Sequence, residues 1–204
     1  MKTYDFTNVT AALKARGFSV SCFDTAKEAA AYLDGCIDRT TVGFGGSVTL
    51  EQMGLYEKLS AHNRVFWHAR IPEGETAMSM RLAANSAEVY LSSVNGLAET
   101  GEIINIDGTC NRVASIFFGH KKVYLAVGGN KLAKDYESAL WRARNIAAPR
   151  NARRLGRKTP CAVEGGVCHD CKSPDRICCG LSVLWCPPMG SDLEILLIGE
   201  ELGY

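Results

Sequence analysis

Along this chain, short apolar runs alternate with segments whose apolar residues recur at helical spacing. That alternation predicts a mainly parallel sheet flanked by helices, an α/β fold. Residues 7–16 read as a helix closed by Gly17, and "FSVSCF" (18–23) as a strand. In "TAKEAAAYLDGCI", Ala29, Ala30, Leu33 and Ile37 share one face, which predicts a second helix. "TTVGFGG" (40–46) is a strand running into a glycine turn, and 47–61 is the helix leaving it, with Leu55 and Leu59 at helical spacing. A strand at 65–69, a helix at 73–87 and an extended run at 88–98 follow, and "EIINID" (102–107) returns across "ETGE" as a hairpin. A short helix at 111–119 precedes the clearest buried strand, 121–129. The clearest amphipathic helix, 134–148, is expected to end at Pro149. "LSVLWC" (181–186) and "LEILLI" (193–198) complete the expected sheet. With neither repeats nor a low-complexity linker, residues 1–204 are expected to form one domain, with a cysteine-rich loop at 161–179 ahead of the last strands.

Composition narrows the partners. Of 204 residues, 47% are apolar and 22% charged, the balance of an ordinary globular protein. A net charge of +1 supplies no global field toward nucleic acid or an anionic membrane. The first twenty residues lack a basic start followed by an apolar run, and no apolar stretch reaches bilayer length, so the expected address is the cytoplasm, without membrane insertion.

Candidate chemistry lies first at two strand ends. In "GFGGSVT", Gly43, Gly45, Gly46 and Ser47 bring bare backbone N–H groups to a helix start, which suits a phosphate or carboxylate. The stretch is neither a P-loop nor a dinucleotide fingerprint, and a tight unliganded turn explains it equally well. In "VGGNK", Asn130 and Lys131 also follow a strand, and in open α/β sheets the ligand crevice lies outside the carboxyl ends of the strands. A solvated lysine is the plainer alternative. The run from Asn95 to Arg112, with Glu99, Glu102, Asn105, Asp107 and Asn111 between them, carries more polar groups than a hairpin needs. Arg112 is expected either to pair with a carboxylate and order these loops or to clamp an anion bidentately.

A basic stretch from Arg142 to Lys158 contains no acidic residue. Only Trp141 accompanies it as a stacking platform, so a partner-docking face or solvated helix end is preferred over nucleic acid. Near the end, Cys161, Cys168, Cys171 and Cys178 are spaced C-x6-C-x2-C-x6-C. A central Cys-x-x-Cys lets two sulfurs reach one ion, and the flanking thiols would close a tetrahedron. Cys179, Cys186 and His169 are further candidates for the fourth ligand. Buried thiols and a catalytic dithiol are the competing readings, the latter disfavoured because the motif does not sit at a helix start after a strand. Spacing alone does not separate zinc from an iron–sulfur cluster.

Three segments, "GFGGSVTLEQMGL", "SSVNGLAETGEIINIDGTCNRVASIFFGHKKVYLAVGGNKL" and "ALWRARNIAAPRNARRL", resemble the lactate-utilisation (LUD) domain family in sequence and order. The resemblance implies the NagB/RpiA/CoA-transferase-like superfamily fold. It implies a pocket lined by Gly43–Ser47, Asn95, Glu99, Asn111, Arg112, Asn130 and Lys131, with Glu200 pointing back toward it. Cys110 stands where the family pattern tends to have a glycine. Because some members serve an iron–sulfur system that oxidises L-lactate, the resemblance ranks a cluster ahead of zinc. The leading expectation is a protein of organic-acid (lactate-like) metabolism that binds a small anionic metabolite and a four-cysteine metal centre. The alternatives are an acyl- or CoA-transferase-like enzyme with Glu99 as covalent nucleophile, and a non-enzymatic accessory subunit docking a redox partner protein; homo-oligomerisation is left open.

Overall fold

The computed structural model describes residues 4–204. Its main sheet contains β1 (Ser19–Phe23), β2 (Thr41–Phe44), β3 (Arg64–Phe66), β4 (Val89–Ser93), β7 (Lys122–Gly128) and β10 (Asp192–Ile198). The order is β1-β10-β7-β4-β2-β3, with every neighbouring pair parallel. Both faces are apolar, as helices on both sides require. In β7, Val123, Leu125 and Val127 point to one core while Tyr124 and Ala126 point to the other. Helices α2 (Ala26–Cys36), α3 (Val48–Gln52) and α4 (Leu55–Ser60) cover the second face through Leu33, Leu50, Leu55 and Leu59. The first face carries α1 (Thr7–Ala15), α5 (Ala77–Asn85) and α6 (Asn111–Phe117).

A second, four-stranded sheet packs against that first face. It runs β8 (Leu132–Ala133), β5 (Gly96–Ala98), β6 (Ile103–Asp107) and β9 (Gly180–Leu184), with the β5–β6 hairpin antiparallel across Thr100 and Gly101. Helix α7 (Tyr136–Arg142) lies on it so closely that a Cβ added to Gly96 would come 2.6 Å from the Ala139 carbonyl oxygen. A short helix, α9 (Pro160–Val163), opens the cysteine segment.

Three local expectations are corrected. The predicted helix 47–61 is two helices, because Gly54 adopts a left-handed φ of 63° between them. Pro149 does not end the long helix: α7 widens into a π-turn over Ala143–Ala147 and continues as α8 (Ala148–Arg154). The proline stands in the first turn of α8, where its missing N–H matters least, and the wide turn absorbs the lost ladder bond. The run at 181–186 joins the second sheet, pairing antiparallel with β6 rather than closing the parallel sheet. No helix among the described residues is long and apolar enough to cross a membrane.

Candidate functional site

The carboxyl ends of β2, β4, β7 and β10 open into a cleft of about 390 Å³. Each strand end supplies a wall: Gly46 and Ser47 after β2, Ser93 and Asn95 at the end of β4, Lys131 after β7, and Gly203 beyond β10. Asn111 and Arg112 enter from α6. Of the sequence-derived candidates, Gly46, Ser47, Asn95, Asn111, Arg112 and Lys131 therefore share one cleft.

Lys131 sits in a single 3₁₀ turn (Gly129–Lys131) and is only 3% exposed. Its ammonium donates to Thr49 Oγ1 and Ser93 Oγ, each at 2.7 Å. These hydroxyls donate onward to the carbonyls of Leu202 and Ala126. Burial pushes the Lys131 pKa well below the usual lysine range, and the like charges of Arg142 and Arg112 push it further in the same direction. An anion entering the cleft would offset both effects.

Arg112 is committed to the scaffold. Its guanidinium donates to the Ser93 and Ile106 carbonyls and to the side chains of Asn105 and Asn95, over 2.7–3.0 Å. Asp107 lies 3.7 Å from its Nε. Of the two roles expected for Arg112, the bonds are those of ordering the loops. Gly45 makes room for it: a Cβ there would meet the Arg112 Cγ at 3.1 Å and the Ser92 hydroxyl at 2.8 Å. Arg142, at the head of the basic run, is a second buried clamp. It donates to the backbone oxygens of Asn130, Asn95 and Tyr204, and burial, with Arg150 nearby, brings its pKa down to about 10. Asn95 is thus held by one arginine through its side chain and by another through its carbonyl.

Other candidates stand behind or away from the wall. Ser47 caps α3 by accepting from Leu50 N–H, and α3 has only five residues, so no helix dipole builds there. Gly43 packs against the Ala84 carbonyl of α5. Asn130 ties down the tail, its Oδ1 accepting from Leu202 N–H at 3.0 Å. Glu99 follows β5 and is not part of the cleft wall. Glu200, expected to point back toward the pocket, is not part of the cleft wall: its carboxylate accepts from Ala26 N–H at the start of α2.

Among the cleft residues not anticipated as such are His68, Arg81 and Arg154. His68 is half-buried against Gly46, and burial, followed by Arg81, lowers its pKa, with Asp107 opposing and Arg154 adding to the effect. His68 Nδ1 and Arg81 Nε are both buried without a hydrogen-bond partner. Leaving a buried polar group unpaired costs about 1–3 kcal/mol, so two such atoms on one cleft are informative. His68 lies just past the carboxyl end of β3, which stops at Phe66 instead of running over 65–69 as expected, so the strand-end rule reaches it only once that shorter strand is known; nothing in the spacing marks Arg81.

The basic stretch is dispersed rather than presented as one face. Arg142 is buried, Arg154 and Arg157 line the cleft, and Arg144 turns to Cys168 and Asp170. All nine cysteines are free. Cys161, Cys168, Cys171, Cys178 and Cys179 line a cavity of about 270 Å³, which shares Ile106, Ala148, Arg176 and Ile177 with the cleft. Four thiolates suit a thiophilic ion, but they must all lie about 2.3 Å from it. Among the described residues, no three Cys, His, Asp or Glu side chains are so arranged. The donor set fits a metal and the observed arrangement does not.

The family model for the LUD domain matches residues 7–198. No curated protein matches the chain significantly. Among solved structures, a DUF162 family protein from Deinococcus radiodurans superposes with a TM-score of 0.53 at 12% identity, covering 96% of this chain and 99% of that one. At that identity the likeness speaks to the fold. The family match spans nearly the whole sequence, and on that ground the chain belongs to the LUD domain family.

Proposed function

We propose that this LUD-domain protein binds a small anionic metabolite in the cleft at the carboxyl edge of its parallel sheet. The observation that carries the reading is an imbalance of charge. Lys131, Arg81, Arg112, Arg154, Arg157 and Arg176 line the cleft against two carboxylates, Asp107 and Asp175. Both carboxylates are already engaged. Asp107 accepts from the backbone of Thr109, Cys110 and Val113, and Asp175 from Arg157 and Lys158 N–H. Lys131 has two of its three donors bonded within the protein, leaving one for a ligand oxygen. An organic acid of the lactate type suits that inner end, in keeping with a role in organic-acid metabolism.

The reading takes the chain as one domain of the NagB/RpiA/CoA-transferase-like fold working in the cytoplasm. The cysteine cavity is proposed to take an iron–sulfur cluster or zinc. Five thiols on one cavity support this, and loading requires the 161–179 segment to rearrange, because its sulfurs do not converge as folded. The acyl-transfer alternative draws no support from Glu99, since a covalent carboxylate must face the ligand. A thermal-shift panel of carboxylates and phosphates tests the central reading. Stabilisation by anions of either class, absent with size-matched neutral alcohols, is expected; no anion-dependent shift would overturn it.

A further inference from the structure

Arg112 is spent on the loop carbonyls and asparagines, Arg157 on Asp175, and Arg176 on the carbonyls of Cys171 and Cys178; the remaining cations of the cleft fall into two groups. The inner group is Lys131 with the hydroxyls of Thr49 and Ser93, beside Gly203, whose added Cβ would come 3.2 Å from Nζ. The outer group is His68, Arg81 and Arg154, close enough that both arginines bear on the His68 imidazole. Asp107 also reaches His68, but its oxygens are committed to its own loop and to Arg112. The two buried orphan nitrogens, His68 Nδ1 and Arg81 Nε, belong to this outer group.

A carboxylate at Lys131 leaves the outer group without a counter-charge, Arg154 having, among the described residues, only the amide oxygen of Asn151 as its partner. Two guanidinium groups and an imidazole present more donors and charge than one carboxylate absorbs. A phosphoryl group, with up to two negative charges and three acceptor oxygens, matches them. The cleft's volume of about 390 Å³ also exceeds what a three-carbon acid needs and lies within the ~300–1,000 Å³ range of small-molecule sites.

We infer that the cleft takes a phosphorylated organic acid, its carboxylate at Lys131, Thr49 and Ser93 and its phosphoryl group at Arg81, Arg154 and His68. This rests on the reading of the cleft as an anion site and adds the ligand's second charged end. Calorimetry on the full chain tests it with three pairs of acids of increasing length: glycolate and phosphoglycolate, glycerate and phosphoglycerate, gluconate and phosphogluconate. At least one phosphorylated member is expected to bind about tenfold or more tightly than both its unphosphorylated partner and inorganic phosphate. The R81Q/R154Q double variant should lose that excess and fall back to the affinity of the plain acid.

If no phosphorylated acid outbinds its partner while plain acids still bind, the two-ended ligand is overturned and the anion cleft stands. If phosphate alone binds as tightly as every phosphorylated acid, the inner end takes no carboxylate and the inference also fails. Binding by none of the compounds removes the cleft reading itself. The wild-type comparison decides among these outcomes even where the double variant folds poorly.

Discussion

Lys131 and Ser93 meet across the carboxyl ends of β7 and β4, the ammonium nitrogen 2.7 Å from the hydroxyl oxygen. The contact joins adjacent strands of the parallel sheet and buries a cation whose electrostatic neighbours include two arginines. Because folding lowers this lysine's pKa, the folded state holds fewer protons than the unfolded one, and stability rises with pH toward the free lysine value near ~10.4. Lys131→Met removes that cost. Ser93 and Thr49 keep their carbonyl partners, so neither hydroxyl is orphaned. The expected outcome is a gain in stability at pH 7. Denaturant midpoints at pH 7 and pH ~10 check it, the gain shrinking at the higher pH.

Arg112 gives the opposite sign. Arg112→Leu strands the acceptors of Asn95, Asn105, Ser93 and Ile106 in a buried loop. Breaking a buried charged network costs about 3–5 kcal/mol, a loss to be read from urea denaturation. Lysine should not rescue it, because one ammonium cannot reproduce a planar fork.

Glycines separate packing from conformation. Gly43→Ala drives a methyl into the Ala84 carbonyl of α5, and it should lose about 1–3 kcal/mol. Gly35→Ala, with nothing within 4 Å and a helical position in α2, should gain about 0.5–1 kcal/mol. Chemical melts of the two variants check the contrast.

His62 joins Asp34 through Nε2 at 2.9 Å and Asp38 through Nδ1 at 3.0 Å. The hydrogen bond to Asp34, then that to Asp38, raises its pKa. A raised histidine pKa stabilises the fold below the free imidazole value of about 6.5, and that contribution disappears as pH rises through the folded pKa. His62→Gln should therefore lower the thermal midpoint at pH ~5.5 and leave it nearly unchanged at pH ~8.5.

The thiol cavity is checked by anaerobic purification, metal analysis and an absorption spectrum. The account expects thiolate-bound iron with broad visible bands, or zinc without them, and loss of the metal in a Cys168→Ser/Cys171→Ser variant. Metal-free protein with reactive thiols under anaerobic conditions would remove the cofactor from the account.

Much of the parallel sheet could be read from apolar runs because a strand buried on both faces needs no partner information: Lys122–Gly128 and Asp192–Ile198 stand out from composition alone. The assignment of 181–186 to a second sheet could not be read this way, since alternating runs look alike whichever sheet they join. The π-turn before Pro149 was equally hidden, because apolar spacing through Ala139, Ala143 and Ala147 suits an unbroken helix. At the site, Lys131 and Gly46 followed from one rule about strand ends. The commitment of Arg112 to Asn95 and Asn105 depended on partners distant in three dimensions, and Arg81 became visible only as a buried nitrogen without an acceptor.

The most direct measurement is calorimetric titration of an anion into wild-type protein and Lys131→Met at neutral pH. The account predicts that wild-type protein binds, because the incoming charge favours the protonated lysine that burial disfavours. It predicts at least about tenfold weaker binding in the variant. Equal affinity in both proteins, or no binding to the wild type, would contradict it.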